Sequence, residues 1–242
     1  MLSVVNLLLD IGNSSVKASF CKDLSLENII RYDGTDIISF VLSLIDREEV
    51  SSVVISSVRD IDSKLIETVE SRGVSLYIIG NNVDSPIINR YKSVSTLGSD
   101  RLMAAVAVKY LFPNRDVIIF DFGTALTVDF VNSKGEYLGG NISPGLSTRF
   151  KALNSFTNRL PLIDSRVVKN EIGESTESAI ESGVILGLIF EVEGYMRKYP
   201  NHIYVITGGD ANFFGEKLKS SIFVVYNLVL MGMAHTINNY AK

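Results

Sequence analysis

The chain has 242 residues, 46% of them hydrophobic and 21% charged, a balance that excludes a disordered chain, a collagen-like repeat and a coiled rod. With 23 Lys and Arg against 27 Asp and Glu, its net charge is -4, which leaves no electrostatic footprint for a nucleic-acid backbone. The single cysteine, Cys21, cannot form an internal disulfide and fits a cytoplasmic setting.

The N-terminus lacks a basic segment, and Asp10 cuts its apolar run too early for a secretory signal. The longest apolar stretch, Ile222 to Ala234, is broken by Asn227 and Gly232. It falls short of the roughly 18 residues a bilayer span requires, so a soluble protein with no membrane partner is expected.

An internal repeat organises the chain. The segment V-V-N-L-L-L-D-I-G-N-S-S-V-K-A-S-F, ending at Phe20, is echoed by V-I-I-F-D-F-G-T-A-L-T-V-D-F-V, ending at Val131. Each reads as strand, tight turn, strand, with Asp10 or Asp121 at the lip of the hairpin and Gly12 or Gly123 giving freedom at the bend. After the first hairpin the pattern predicts a strand at Val53–Ser56, a helix at Ile61–Ser71 and a strand at Leu76–Ile79. After the second it predicts a long helix at Ser175–Lys198, a strand at Ile203–Thr207 and a closing helix at Leu228–Asn238. Two α/β halves follow, residues 1–115 and 116–242. No Pro- or Ser-rich linker separates them, so they should share a cleft.

Several chemistries are missing. The two histidines, His202 and His235, lie at no metal-ligand spacing, and no G-x-S-x-G elbow, Walker A loop or G-x-G-x-x-G fingerprint occurs. Four patches centred on Gly and Asp remain. In Asp10–Lys17 a turn after a strand offers successive backbone N–H groups, side-chain donors from Asn13, Ser14 and Ser15, and the charge of Lys17. That concavity suits a polyphosphate, and Asp10 can hold Mg²⁺ through water. The bland alternative is a polar hairpin with Lys17 in solvent.

The second patch, L-G-S-D-R-L-M-A-A-V-A-V, runs from Gly98 into an Ala-rich helix. Ser99 or Asp100 is either an N-cap or, for Asp100, a general base kept ionised by the helix terminus, with Arg101 facing an anion or hydroxyl. Phosphoryl transfer does not demand a strong base, because its transition state is loose. Asp121–Asp129 is the third patch. The fourth, T-G-G-D-A at Thr207–Ala211, is a Gly-Gly turn shaped for close approach to a nucleotide, or a plain connection. Gly183 and Gly187 read as close helix packing.

In their order these elements resemble the type III pantothenate kinase family, within the actin, sugar-kinase and heat-shock chaperone superfamily. The matching segments are D-I-G-N-S-S-V-K, L-G-S-D-R, D-F-G-T-A-L-T-V-D, Y-L-G-G-N-I-S-P-G-L, T-E-S-A-I-E-S-G and T-G-G-D-A. The resemblance implies an actin-like ATPase fold of two ribonuclease-H-like halves with a central cleft. It implies ATP-dependent phosphorylation of pantothenate to 4'-phosphopantothenate, the first step of coenzyme A biosynthesis. Carried over, Asp10, Ile11, Gly12, Asn13, Ser14, Ser15, Val16, Lys17 and Thr124 contact ATP, and Asp100 accepts the proton. Tyr91, Gly98, Ser99, Asp100, Arg101 and Thr176 contact pantothenate, while Asp121 binds K⁺ or NH₄⁺. Val94 departs from the family, which often has proline three residues after the tyrosine. A homodimer, assisted by Mg²⁺, is implied. A kinase for another small hydroxylated substrate, and a non-catalytic accessory protein of the same fold, are the alternatives.

Overall fold

The structure is a computed structural model, described for residues 5–80, 84–168, 170–218 and 221–240. In chain order the elements begin β1 (Val5–Ile11), β2 (Val16–Lys22), β3 (Ser25–Tyr32), α1 (Ile37–Ile45), β4 (Ser52–Ser57), α2 (Ser63–Ser71), β5 (Ser75–Ile78), β6 (Ile88–Asn89) and α3 (Ser99–Leu111). They continue with β7 (Val117–Phe122), β8 (Ala125–Val131), β9 (Glu136–Pro144), α4 (Leu146–Phe156), α5 (Thr176–Lys198), β10 (Ile203–Thr207), α6 (Ala211–Lys217), β11 (Ile222–Val224) and α7 (Leu228–Tyr240).

The chain forms two compact units. The first runs to Asn114 and takes back residues 135–137 and the stretch from Asn227 onward; the second holds 115–134 and 138–226. Asn114 and Asn227, at two of the crossings, have φ of 60° and 58°, a left-handed conformation that asparagine tolerates better than most residues.

The first unit is built on a sheet ordered β3-β2-β1-β4-β5, in which β1, β4 and β5 are parallel and β2 and β3 antiparallel. The run Leu7, Leu8, Leu9 is buried throughout, as a sheet covered on both faces requires. Leu7, Leu9, Val53 and Ile55 pack with Val41 and Leu44 of α1 and Leu65 and Val69 of α2. Helices α3 and α7 cross closely in the same unit. A Cβ at Gly232 of α7 would run into the Met103 carbonyl, and Ala104, Ala105 and Ala107 of α3 are buried. The helix expected to close the second half thus belongs to the first unit, because small residues on α3 and α7 fit each other.

The second unit repeats the plan. Its strands run β9-β8-β7-β10-β11, with β7–β8 antiparallel and β7, β10 and β11 parallel. Ile118, Phe120 and Phe122 pack with Leu146 and Phe150 of α4, Ile185 and Leu188 of α5, and Phe214 of α6. The sequence repeat is therefore a repeat of topology, which its hairpins announced and its third strands did not. The thiol of Cys21 is buried and pushed up to about 11, chiefly by that burial, with Asp23 and Glu27 adding to the effect. No helix among the described residues is long and apolar enough to cross a membrane.

Candidate active site

In the first unit, Asp10 stands at the C-terminal end of β1, in register with Ser56 on parallel β4 and Lys17 on antiparallel β2. Carboxyl ends of parallel strands are where open α/β sheets receive ligands. The turn closes by the Gly12 N–H donating to the Ser15 carbonyl at 3.0 Å, leaving Asn13 and Ser14 exposed. Ile11 and Val16 are buried in the core, so only their backbone can face a ligand. Neither Gly12 nor Gly123 has a positive φ. Backbone freedom, which the sequence reading gave as their reason, is thus not required at either bend; the missing Cβ leaves close approach to the turn.

The second patch joins the first through hydroxyls. Ser99 Oγ lies 2.9 Å from Ser56 Oγ and donates to the Ser57 carbonyl at 3.0 Å. Gly98, not Ser99 or Asp100, is the N-cap of α3, and no side chain caps this helix. The Ser99 side chain is committed to β4, which corrects the capping expectation. Asp100 Oδ1 instead accepts its neighbour's Arg101 N–H at 2.8 Å. The carboxylate folds back over Gly98, where any Cβ would collide with it. It sits at a helix N-terminus, where the dipole favours the ionised form.

Arg101 is buried at 7% exposure, with its guanidinium carbon 5.9 Å from the Tyr91 ring centroid. Tyr137, fully buried, packs beside Tyr91, and Asn89 Oδ1 accepts the Tyr91 N–H at 2.9 Å. The structure thus brings Tyr91 to the L-G-S-D-R element, with Tyr137 as a partner that sequence reasoning missed. A cavity of about 670 Å³ opens beside them, lined by Ser57, Arg59, Asn89, Gly98 and Ser99 with apolar walls from Ile61 and Leu102. That volume suits a small metabolite. Arg59 and Asn89 carried no motif signal.

In the second unit, Asp121 occupies the position of Asp10, at the end of β7 and in register with Thr207 and Thr127. Gly208 has φ of 98°, and a Cβ there would collide with Asp121 Oδ1 and the Phe122 carbonyl. The Asp210 N–H donates to that carbonyl at 3.1 Å, and Arg166 forks onto Asp210 Oδ1 at 2.7 and 3.0 Å. The Asp210 carboxylate holds the Arg166 guanidinium charged, above its usual range. Thr124 is exposed on the turn after Asp121; its carbonyl accepts the Gly145 N–H at 3.0 Å and the Thr148 hydroxyl at 2.6 Å.

Thr176 lies on a different element, exposed on the first turn of α5. Ser175 is the N-cap, in a reciprocal capping box with Ser178. Of the two glycines read as close helix packing, Gly183 has nothing within 4 Å of a Cβ, and a Cβ at Gly187 would meet Arg149 of α4 at an ordinary 3.6 Å, so neither position requires glycine for packing.

Residues 6–198 match the family model described as type III pantothenate kinase. A type III pantothenate kinase of Bacteroides fragilis is 36% identical over 238 residues, covering 97% of this chain and 98% of that one. Among solved structures, a Baf family protein from Campylobacter jejuni superposes with a TM-score of 0.61 at 20% identity, covering 97% of this chain and 98% of that one. The psk41 ParM protein superposes at 0.52 and 14% identity, covering 99% and 98%. The fold is that of the actin-like ATPases. The chain belongs to the type III pantothenate kinase family and is an ATP-dependent kinase of coenzyme A biosynthesis acting on pantothenate.

Proposed function

We propose that Asp100 accepts the proton of the pantothenate hydroxyl as that oxygen attacks the γ-phosphorus of ATP, breaking its bond to the bridging oxygen and giving 4'-phosphopantothenate and ADP. The observation that carries this reading is the Asp100 carboxylate folded over Gly98 at the head of α3, beside the cavity. Arg101 and Tyr91, with the backbone of Gly98 and Ser99, orient the substrate. Thr176 is the pantothenate contact contributed by a second copy of the chain.

ATP phosphates are taken by the turn Asp10–Lys17, with N–H groups and hydroxyls as donors and Lys17 as counter-charge. Thr124 adds a contact from its own turn. Among the described residues no group of three His, Cys, Asp or Glu can hold a metal ion. That fits Mg²⁺, which keeps much of its water and binds through phosphates and one or two carboxylates. Asp10 is the carboxylate that would face it, and the ion would neutralise charge on the transferring phosphoryl group. Asp121, an oxygen donor with backbone carbonyls close by, suits a monovalent cation, K⁺ or NH₄⁺. We further infer a cytoplasmic homodimer, independent of nucleic acid and membrane. The -4 charge and the exposed Phe190 on α5 support that reading.

A coupled assay of the purified chain with pantothenate, ATP, Mg²⁺ and K⁺ tests the function. Phosphorylated pantothenate is the expected product. ATP binding without transfer to pantothenate would overturn it.

A further inference from the structure

We propose that Glu191 and Arg149 are positioning residues for nucleotide binding, because their ion pair holds the head of α4 on the turn that carries Thr124. Arg149 lies on the first turns of α4 and Glu191 on α5; their side chains are 22% and 25% exposed. Around them a closed set of hydrogen bonds forms. Ser143 Oγ donates to Glu191 Oε1 at 2.7 Å, Arg149 Nε donates to the Pro144 carbonyl at 2.8 Å, and Arg149 Nη2 reaches Ser143 Oγ at 3.3 Å as well as Glu191 Oε2. The segment Ser143–Pro144 is thereby tied to α5 through Glu191 and to α4 through Arg149.

The next residue carries the restraint to the turn. Gly145 donates its N–H to the Thr124 carbonyl at 3.0 Å, and Thr148 donates its hydroxyl to the same oxygen at 2.6 Å. A Cβ at Gly145 would strike the Gly123 and Thr124 carbonyls, so α4 and the turn meet backbone to backbone. Gly187, one helical turn before Glu191, faces the same group: Arg149 Nη1 lies 3.6 Å from where a Cβ would stand, an ordinary van der Waals distance. A partly buried ion pair adds little net stability, since desolvation offsets most of its attraction. What its hydrogen bonds supply is placement, the kind of support a binding turn needs to hold its geometry.

This inference rests on the reading that Thr124 contacts ATP, so the test includes that residue. Glu191→Gln keeps the side chain's volume and Arg149→Met keeps most of its packing, and each removes the charge pairing. Each should raise KM for ATP about five- to tenfold, with KM for pantothenate within about twofold of wild type. The double variant should be no worse than the worse single, because both remove one interaction. Calorimetric titration with a non-hydrolysable ATP analogue, well below each melting temperature, reads the same loss independently of turnover and of any lowered stability. Unchanged ATP affinity in both variants, or equal rises in both KM values, overturns the proposal while leaving Thr124 in place. Unchanged ATP affinity in Thr124→Ala overturns the reading of Thr124 and the proposal with it.

Discussion

The hydroxyls of Ser56 and Ser99 lie 2.9 Å apart, and through them the end of β4 grips the first turn of α3. A serine has one proton to give. Ser99 gives its own to the Ser57 carbonyl, so Ser56, fully buried, is the donor in the pair. Ser56→Ala therefore takes the donor from the half-buried Ser99 hydroxyl and loosens the turn that carries Asp100. Stability should fall by about 0.5–1.5 kcal/mol. Turnover should fall by about threefold to tenfold, since a small misplacement of a reacting group is costly. Thermal melting and steady-state kinetics read the two separately; unchanged turnover would leave the serine pair a purely structural contact.

Asp100→Asn separates proton acceptance from shape. The amide oxygen of asparagine can still accept the Arg101 N–H that Asp100 Oδ1 accepts at 2.8 Å, so the fold should survive. Asparagine cannot take a proton, and turnover should fall at least about 10²-fold. Near-normal turnover would remove Asp100 from the mechanism.

Much of this architecture was legible because local chemistry and global fold agree at the two hairpins. An apolar run ending in Asp-x-Gly and followed by alternation predicts β1–β2 and β7–β8, and the register confirms both. The third strand was harder. Ser25–Tyr32 mixes exposed and half-buried positions, as a strand at a sheet edge does, and gives no clean period. The placement of α7 was invisible for another reason: a glycine that fits against Met103 looks like any other until both helices are in hand. At the candidate site the motifs gave the turns but not their joins. The Ser56–Ser99 contact and the Arg149–Glu191 pair each link residues more than 40 positions apart. Only tertiary structure makes neighbours of them.

The monovalent cation is tested at Asp121. With Gly208 packed against Asp121 Oδ1 and the Phe122 carbonyl, this carboxylate is held in a tightly shaped turn. Activity should rise when K⁺ or NH₄⁺ replaces Na⁺ at fixed ionic strength. Asp121→Asn should lose that dependence together with most of the activity. A readout besides activity is the melting temperature, which K⁺ should raise in wild type and not in the variant, because a ligand stabilises only the state that binds it. Equal rates and equal melting in sodium and potassium would sink the assignment.

Thr176 carries the prediction about assembly. Helix α5 is capped by Ser175, so the Thr176 hydroxyl, exposed on the first turn, is not needed for that task. The expectation is that it reaches the pantothenate pocket of a second copy. Two variants, Asp100→Asn and the blocking Thr176→Trp, should each be inactive alone. Refolded together in equal amounts, they separate two arrangements. If one chain supplies both residues of a site, every site in the mixed dimer carries a lesion and no activity returns. If the site is shared, one of the two sites in each heterodimer has both native residues and the other has both lesions. Random pairing about a two-fold axis then restores about a quarter of wild-type activity. Differential tagging establishes that heterodimers have formed. A dead mixture in their presence would confine the pocket to one subunit.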